Sequence, residues 1–218
     1  MRLLVVGASG ATGRHLVDQA LQGGHTVTAF VRDPARLPLA HAALRVVAGD
    51  AMRRGSLGPA VGGHDAVLCI LGAKPEGADA RRGQPGVPVC SVGTTHLIEA
   101  MAAAGVRRLV VLSSASVGDS RGTGRFPAPW VVRTLLGEVM ADKELQEAVV
   151  RESGLDWTIV RPVKMTNGPR TGRVRVRVGS TVRWGLGSMV SRADVAAVVL
   201  ATLSDTTSIG AALTVAGA

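Results

Sequence analysis

The sequence predicts an α/β protein built on a doubly wound parallel sheet with helices on both faces. Apolar, β-branched runs alternate with segments of helical periodicity along most of the chain. One run, residues 65–71, is continuously apolar after its first residue, as expected of a strand buried on both faces. The first run ends in three regularly spaced glycines that lead into a helical segment, so the chain begins as strand, turn and helix.

The same patterns place the elements in order along the chain. We predict strands at residues 2–6, 26–31, 44–48, 65–71, 108–112 and 157–160. We predict helices after Gly13, at residues 56–61, 92–104 and 130–153, and after Ser191. Gly105 would end the third helix, Gly137 is a candidate break in the fourth, and Ser191 would cap the last.

Length and composition predict one domain, residues 1–218, whose C-terminal third, about residues 163–218, elaborates the sheet edge and contributes the substrate side. With 46% apolar residues a sizeable core is expected, and no run reaches the roughly 18 apolar residues of a membrane span. Neither a signal peptide nor a disulfide between Cys69 and Cys90 is expected. These features predict a cytoplasmic protein.

The net charge of +9 suits anionic ligands. Aromatic residues make up 2% of the chain, which leaves no stacking platform for bases, so we expect a small-molecule partner and no nucleic acid. The five histidines show no metal-ligand spacing, and we expect no metal site.

The three glycines of the first turn, Gly7, Gly10 and Gly13, are spaced by two residues each. The first would allow a tight turn, the second a close approach of a pyrophosphate, and the third close packing of helix on strand. Together with Ser9, Ala11 and Thr12, this loop predicts a dinucleotide site at a helix N-terminus. The alternative is an ordinary turn in another kind of α/β protein.

The end of the second strand bears on which dinucleotide binds. Arg32 follows the strand and Arg36 comes four residues later, and two guanidinium groups suit the 2′-phosphate of NADP. Asp33 could instead accept from the ribose hydroxyls of NAD. We predict NADP, with NAD as the alternative.

Polar or small residues end the later strands, where open α/β sheets bind ligands. Asp50 could accept from an adenine amino group or serve as a turn aspartate. Leu71 and Gly72 end the fourth strand, where the glycine permits close approach of a ribose. Ser113, Ser114 and Ser116 follow the fifth strand, and one of these hydroxyls could face the nicotinamide or the substrate.

Taken together, these motifs resemble the NAD(P)H-binding group of atypical short-chain dehydrogenases/reductases, and in particular biliverdin IXβ reductase, also called flavin reductase. The resemblance covers nearly the whole chain. It rests on the glycine loop and on these further segments: 31–33, 36–38, 49–50, 65–67, 71–72, 113–115 and 151–155.

The resemblance implies a Rossmann-type, NADPH-dependent reductase that is a monomer or a weak homodimer. It implies that Arg32 and Arg36 take the 2′-phosphate and that Ser114 lies beside the nicotinamide. It further implies that the remaining cofactor contacts come from Asp50 and Met52 at the adenine, from Leu71, Gly72 and Ser113 along the cofactor, and from Pro162 and Val163 over the ring.

Three departures from that family limit the analogy. The chain has no tyrosine, so the Tyr-x-x-x-Lys mechanism of typical short-chain dehydrogenases is impossible. Lys143 stands where the lysine of that pair is expected; it could contact the nicotinamide ribose, or be a surface charge paired with Glu147. Lys164 replaces a histidine of the biliverdin reductase pattern and could steer an anionic substrate.

Residues 173–178 alternate arginine and valine, which predicts a strand with valines inward and arginines outward. It is either an edge strand protected by charge or a basic rim that attracts a phosphorylated or carboxylated substrate.

The sequence thus predicts a reductase that passes hydride from NADPH to a flat, electron-poor acceptor such as a flavin or quinone. Met165, Trp184 and Met189 are candidates for its apolar pocket. The alternatives are a non-catalytic NADP-binding sensor of the NmrA type and a sugar-nucleotide epimerase or dehydratase.

Overall fold

The computed structural model describes residues 1–72, 88–115, 117–118, 137–179 and 188–218. Ten strands and five α-helices lie within these ranges. Ser116 and Trp184, both named above as site candidates, lie outside the described residues.

Eight strands form one sheet in the order β3-β2-β1-β4-β5-β6-β10-β8. Strands β1 to β6 and β10 pair in parallel, and β8 pairs antiparallel with β10 at the edge. The eight are β1 (Arg2–Val6), β2 (Thr26–Val31), β3 (Leu44–Ala48), β4 (Ala66–Cys69), β5 (Arg108–Leu112), β6 (Asp156–Pro162), β8 (Val174–Val178) and β10 (Ala211–Gly217). The predicted Rossmann-type fold class is confirmed, and the order reverses at β1, which puts a crevice at the carboxyl ends of β1 and β4.

Helices cover both faces of the sheet. They are α1 (Ala11–Gln22), α2 (Gly58–Val61), α3 (Val89–Ala104), α4 (Gly137–Glu152) and α5 (Arg192–Ala201). Helices α1 and α5 contact each other, as do α3 and α4. Gly105 ends α3 in the left-handed region at φ +68°, as predicted. The fourth predicted helix is described from Gly137 onward, and residues 119–136 lie outside the described ranges.

The C-terminal third corrects one expectation. Instead of lying over the sheet edge as an elaboration, it supplies two strands of the main sheet, β10 and β8. Strand β10, which the sequence analysis did not predict, pairs with β6 through Leu213 and Val160. A separate two-stranded pair, β7 (Lys164–Thr166) with β9 (Met189–Ser191), follows the carboxyl end of β6.

Strand β8 forms where the arginine–valine alternation predicts it, but the valines are not all inward. Val176 is 37% exposed and Val178 is 67% exposed. These two valines are exposed because β8 lies at the outer edge of the sheet. Helix α5 packs against α1. Only the first valine of the strand, Val174, packs against the core on that side.

The core has two parts, one on each face of the sheet. Cys69 and Cys90 are both free and buried, in agreement with the prediction of no disulfide. Among the described residues, no helix combines the length and apolarity needed to cross a bilayer.

Candidate active site

The glycine loop between β1 and α1 is closed by contacts that exclude side chains. Gly7 has φ +87°, and a Cβ there would lie 2.7 Å from the carbonyl oxygen of Ile70, beyond β4. A Cβ on Gly13 would overlap the carbonyl oxygen of Gly7 and lie 2.8 Å from that of Ala8. The first glycine therefore seats the loop against β4, and the third lets α1 begin directly above the loop's own carbonyls.

Gly10 is the N-cap residue of α1, and its role differs from that of its two partners. A Cβ there would meet one neighbour, the carbonyl oxygen of Gly7 at 3.2 Å, and is otherwise in open space. The next three N–H groups, of Ala11, Thr12 and Gly13, begin the helix and have no partner within it. The loop therefore leaves room and donors for a diphosphate, so the residues present fit a dinucleotide.

Arg14 fixes this loop to the turn after β2, a role that the sequence analysis missed. Its Nε donates to the carbonyl oxygen of Ser9 at 3.1 Å, and its Nη2 donates to that of Arg36 at 2.8 Å. The side chain thus joins the diphosphate loop to the predicted 2′-phosphate site. Its position directly after Gly13 is the only signal in the sequence.

A cavity of about 200 Å³ opens beside that turn, lined by Arg32, Gly49, Asp50 and Arg53. Arg32 lines this cavity, whereas Arg36 is not among its lining residues, and the contact of either with a 2′-phosphate stays a prediction. Arg53, which the sequence analysis did not single out, provides a second guanidinium on the same cavity. The ends of β2 and β3 thus combine two cations and the carboxylate of Asp50, and paired guanidinium groups suit a phosphate monoester.

The two nearby carboxylates have structural partners. Asp33 accepts from the N–H of Ala35 at 3.0 Å and caps the short 3-10 turn that carries Arg36. Asp50 accepts from the N–H of Met52 at 3.1 Å. The turn role considered for Asp50 is therefore observed, and Met52 lies beside it, half-buried.

The structure corrects one of the two roles predicted for Lys143. It is not a surface charge paired with Glu147, because the residue is only 6% exposed. Its Nζ donates to the carbonyl oxygens of Leu71 at 2.8 Å and Leu112 at 2.6 Å, and to Oε1 of Gln146 at 2.9 Å. Two of these bonds hold the ends of β4 and β5 together, and the third is made to Gln146 on the same helix.

An acidic side chain of α4, Asp142, joins this helix to the start of α3. The carboxylate of Asp142 accepts from the N–H of Cys90 at 2.8 Å and from the N–H and hydroxyl of Ser91 at 2.8 and 2.6 Å. These are donors that the first turn of a helix leaves unpaired. Burial raises the pKa of the Cys90 thiol to about 11, so Cys90 stays protonated and unreactive at neutral pH.

Ser113 belongs to a buried ionic network that the sequence analysis missed. Its hydroxyl donates to Oε1 of Glu147 at 2.6 Å. Both Glu147 and Arg161 are almost fully buried, and Arg161 Nε donates to the same oxygen at 2.9 Å. Gly118, at φ +62°, leaves the space that the guanidinium occupies. The hydroxyl of Ser113 is therefore already hydrogen-bonded within the protein. Its backbone directly follows the end of β5.

Ser114 is the hydroxyl left at this edge. It is half-buried and makes no hydrogen bond to another residue that the structure describes. The neighbouring strand β4 ends at Cys69, earlier than predicted, so Leu71, half-buried, and Gly72, exposed, follow it. The predicted placement of Ser114 at the carboxyl end of the sheet is thus observed, and its contact with a nicotinamide stays a prediction.

The end of β6 supplies the opposite wall. Pro162 and Val163 are buried there, and the N–H of Ala115 donates to the carbonyl oxygen of Pro162 at 3.0 Å. Lys164 follows and is exposed. Met165 lies 3.9 Å through its sulfur from the hydroxyl of Thr12, so β7 borders the start of α1.

The described residues contain no group of three or more His, Cys, Asp or Glu side chains that could hold a metal ion. The site therefore consists of a diphosphate loop, a cationic cavity and a strand edge with a free hydroxyl.

Residues 7–206 match the family model described as NAD(P)H-binding. The chain belongs to the NAD(P)H-binding family. The resemblance stated from the sequence is thereby confirmed at the level of the family, whereas the cofactor contacts of individual residues stay predictions.

Two relatives of this NAD(P)H-binding chain span most of its length. An uncharacterized chloroplastic protein of Arabidopsis thaliana is 32% identical over 201 residues, 89% of this chain and 70% of that protein. The (4-alkanoyl-5-oxo-2,5-dihydrofuran-3-yl)methyl phosphate reductase of Streptomyces griseus is 31% identical over 219 residues, 99% of this chain and 67% of that enzyme. These relatives indicate an NAD(P)H-dependent oxidoreductase family.

A solved structure shows the same fold. A short-chain dehydrogenase/reductase of Veillonella parvula, solved in complex with NADP, superposes with a TM-score of 0.79 at 20% identity, covering 98% of this chain and 93% of that one. At this level of identity the match shows the fold that this chain shares with it.

Proposed function

We propose that the chain is an NADPH-dependent reductase whose acceptor is flat and electron-poor, such as a flavin or a quinone. The observation that carries the proposal is the chemistry of the strand edge: within the described residues the hydroxyl of Ser114 after β5 makes no hydrogen bond, and the chain has no tyrosine. NADPH, when bound, supplies a hydride. Acceptors of this class need little acid assistance, so a site without a phenol suits them better than a ketone.

The preference for NADP over NAD is part of the proposal. Arg32 and Arg53 line one cavity, and Arg14 links the turn carrying Arg36 to the glycine loop. Two guanidinium groups on one small cavity favour a phosphate dianion over a ribose diol. Asp33, the residue that would favour NAD, accepts instead from the N–H of Ala35.

In this proposal the buried side chains act by holding the edge in place. Lys143 ties the carbonyl of Leu71 to that of Leu112, which holds the segment after β4 to the end of β5 beside the crevice. Glu147 fixes Ser113 and leaves Ser114 as the hydroxyl that can pass a proton from solvent. Lys143 is thus a positioning residue and not the proton donor.

The acceptor would lie between this edge and β7–β9. Met165 is half-buried next to Thr12, and Met189 is 46% exposed at the start of β9. These soft apolar side chains suit a planar ring. The two free, buried thiols support a reducing compartment, which we take to be the cytoplasm.

The test is NADPH oxidation with FMN, several quinones and small carbonyl compounds, run beside NADPH binding by calorimetry. We expect turnover with flavins or quinones and little with carbonyl compounds. Tight NADPH binding with no turnover of any acceptor would overturn the reductase proposal and favour the sensor alternative.

A further inference from the structure

The segment after β6 has a charge distribution unlike that of the rest of the chain. Between Asp156 and Asp194 the sequence contains no acidic residue, although the whole chain has 16. The same stretch contains eight of the 25 lysines and arginines: Arg161, Lys164, Arg170, Arg173, Arg175, Arg177, Arg183 and Arg192. Arg161 is buried with Glu147, whereas Lys164, Arg170, Arg173, Arg175 and Arg177 are exposed and have no acidic side chain in their own segment.

Strand pairing collects part of this charge at the carboxyl edge. Lys164 pairs with Met189 across β7 and β9. Gly217 packs so closely on Met189 that a Cβ would overlap its carbonyl oxygen, and Gly217 pairs with Val174 across β10 and β8. The N–H of Ala218, the next residue, donates to the carbonyl oxygen of Arg173 at 3.0 Å. Lys164 and Arg173 are therefore connected through β9 and the end of β10, at the same edge of the fold.

The loop between β7 and β8 is held rigidly beside them. The carboxylate of Asp194 accepts from the N–H groups of Thr171 and Gly172 at 2.9 and 2.8 Å and from the hydroxyl of Thr171 at 2.8 Å. Arg192, two residues earlier, donates to Oδ1 of Asn167 at 2.7 Å. Asp194 is thus buried and fully engaged, while Arg192, the first residue of α5, is held against Asn167 of this loop.

Protection of the sheet edge does not explain this arrangement. Edge protection requires charges along β8, and Arg175 and Arg177 supply them, with Arg175 donating to the carbonyl oxygen of Gly217. Lys164 directly follows the buried Pro162 and Val163, and Arg192 begins α5, so both lie on other elements. Protection of β8 therefore does not account for these two cations.

We propose that Lys164, Arg173 and Arg192 bind a phosphate group carried by the acceptor. This inference rests on the proposed reductase function, and it names the substrate class: a planar, reducible ring with a phosphate monoester on a short arm. Three cations from three elements can surround a dianion, and β7 places them beyond the wall formed by Pro162 and Val163. The name of the Streptomyces griseus relative, a methyl phosphate reductase, is consistent with such a substrate.

FMN and riboflavin provide a matched pair of probes, because they share the isoalloxazine ring and differ in the phosphate. We expect the kcat/KM for FMN to exceed that for riboflavin by about ten-fold or more, the factor of one charge-assisted hydrogen bond. Arg173→Gln and Lys164→Gln should each lower this ratio several-fold. Both residues are exposed, so both variants should fold.

Arg45→Gln is the control, since Arg45 is an exposed arginine on β3, at the other end of the sheet. It should leave the ratio of FMN to riboflavin unchanged. Equal kcat/KM values for the two flavins in the wild-type protein would overturn the inference, and so would a ratio that Arg45→Gln lowers as much as Arg173→Gln.

A binding measurement separates this inference from the proposed function. Flavin fluorescence titrations with the NADP⁺-saturated protein report FMN and riboflavin affinity without turnover. Tighter binding of FMN, weakened by Arg173→Gln, in a protein that reduces neither flavins nor quinones would reject the reductase and retain the phosphate site. Absence of any preference for FMN in binding would reject the phosphate site whatever the turnover.

Discussion

The two sides of the crevice differ in what shapes them: backbone on one side and charged side chains on the other. On the side of β1 to β3, the loop is shaped by backbone: Gly7 and Gly13 sit where a Cβ would overlap a carbonyl group. On the side of β6 to β10, the surface is shaped by charged side chains such as Lys164 and Arg173. This difference indicates that the side of β1 to β3 is adapted to a ligand that does not vary, and the side of β6 to β10 to a ligand that can vary.

The comparison is tested most strongly at Gly13. In most helices, Gly→Ala stabilises by up to about 1 kcal/mol. Here Gly13→Ala should destabilise by about 3 kcal/mol or more and abolish NADPH binding, because its Cβ would overlap the Gly7 carbonyl oxygen. Urea unfolding and calorimetry measure both effects.

Gly58→Ala is the matched control, because Gly58 begins α2 and a Cβ there meets nothing within 4 Å. Its stability should change by less than about 0.5 kcal/mol. A Gly13→Ala protein as stable as Gly58→Ala would show that the loop tolerates side chains, and the contrast between the two sides would fail.

The two sides also differ in how far the sequence predicts them. The glycine loop is a contiguous motif, so its backbone requirement is visible in seven residues, 7–13. Strand β10 was missed because its small residues show no alternation, and its burial depends on β6 and β8 on either side. Arg53 was missed because its cavity forms only when the ends of β2 and β3 meet.

Helix α4 shows why the buried network could not be predicted. Its polar residues face inward and its Leu145 is 58% exposed, the reverse of the usual helical pattern. The partners of Lys143 are carbonyl groups of residues 71 and 112, far away in the chain. A backbone carbonyl leaves no trace in the sequence, so a buried lysine resembles a surface one.

Lys143 and Lys164 sharpen the comparison, because the sequence analysis treated both as candidate catalytic lysines. Lys143→Met should destabilise the protein by about 2 kcal/mol, since it leaves two buried carbonyl groups without their donor. Removing the buried charge of Lys143 also removes its desolvation penalty, which offsets part of that cost. Lys164→Met, at an exposed residue, should change stability by less than about 0.5 kcal/mol.

Urea unfolding of the two lysine variants at neutral pH measures the difference. The opposite order, or equal effects, would contradict the role of Lys143 as the tie between β4 and β5. In activity, Lys143→Met should raise the KM for NADPH, and Lys164→Met should act on the acceptor.

Arg53 and Arg54 test the cofactor side alone. Arg53 lines the cavity with Arg32, whereas Arg54 donates to both carboxylate oxygens of Glu99 at 3.1 Å. Arg53→Gln should weaken NADPH binding about ten-fold, as expected for one charge-assisted hydrogen bond, and leave NADH unchanged. Arg54→Gln should alter neither, and calorimetry with both nucleotides gives the values. Equal weakening of NADPH and NADH by Arg53→Gln would place its contact away from the 2′-phosphate.

The smallest effect concerns Asp194, which holds the loop of the acceptor side. Burial acts to raise its pKa, but hydrogen bonds from Gly172, Ser191 and Thr171 outweigh it and the pKa lies below the usual value of 3.8. A lowered native pKa means that the carboxylate stabilises the fold above about pH 4 and loses this contribution as the pH falls through the native pKa.

Asp194→Asn should therefore destabilise by about 1–2 kcal/mol at pH 7, and the difference from wild type should shrink as the pH falls below about 4. Thermal unfolding across that range measures it. Asp18→Asn is the surface control, since exposed Asp18 accepts one hydrogen bond from Gln22 and should cost less than about 0.5 kcal/mol. A constant Asp194→Asn difference at every pH would mean that the loop is held by its backbone, as the glycine side is, and the two sides of the crevice would then be built alike.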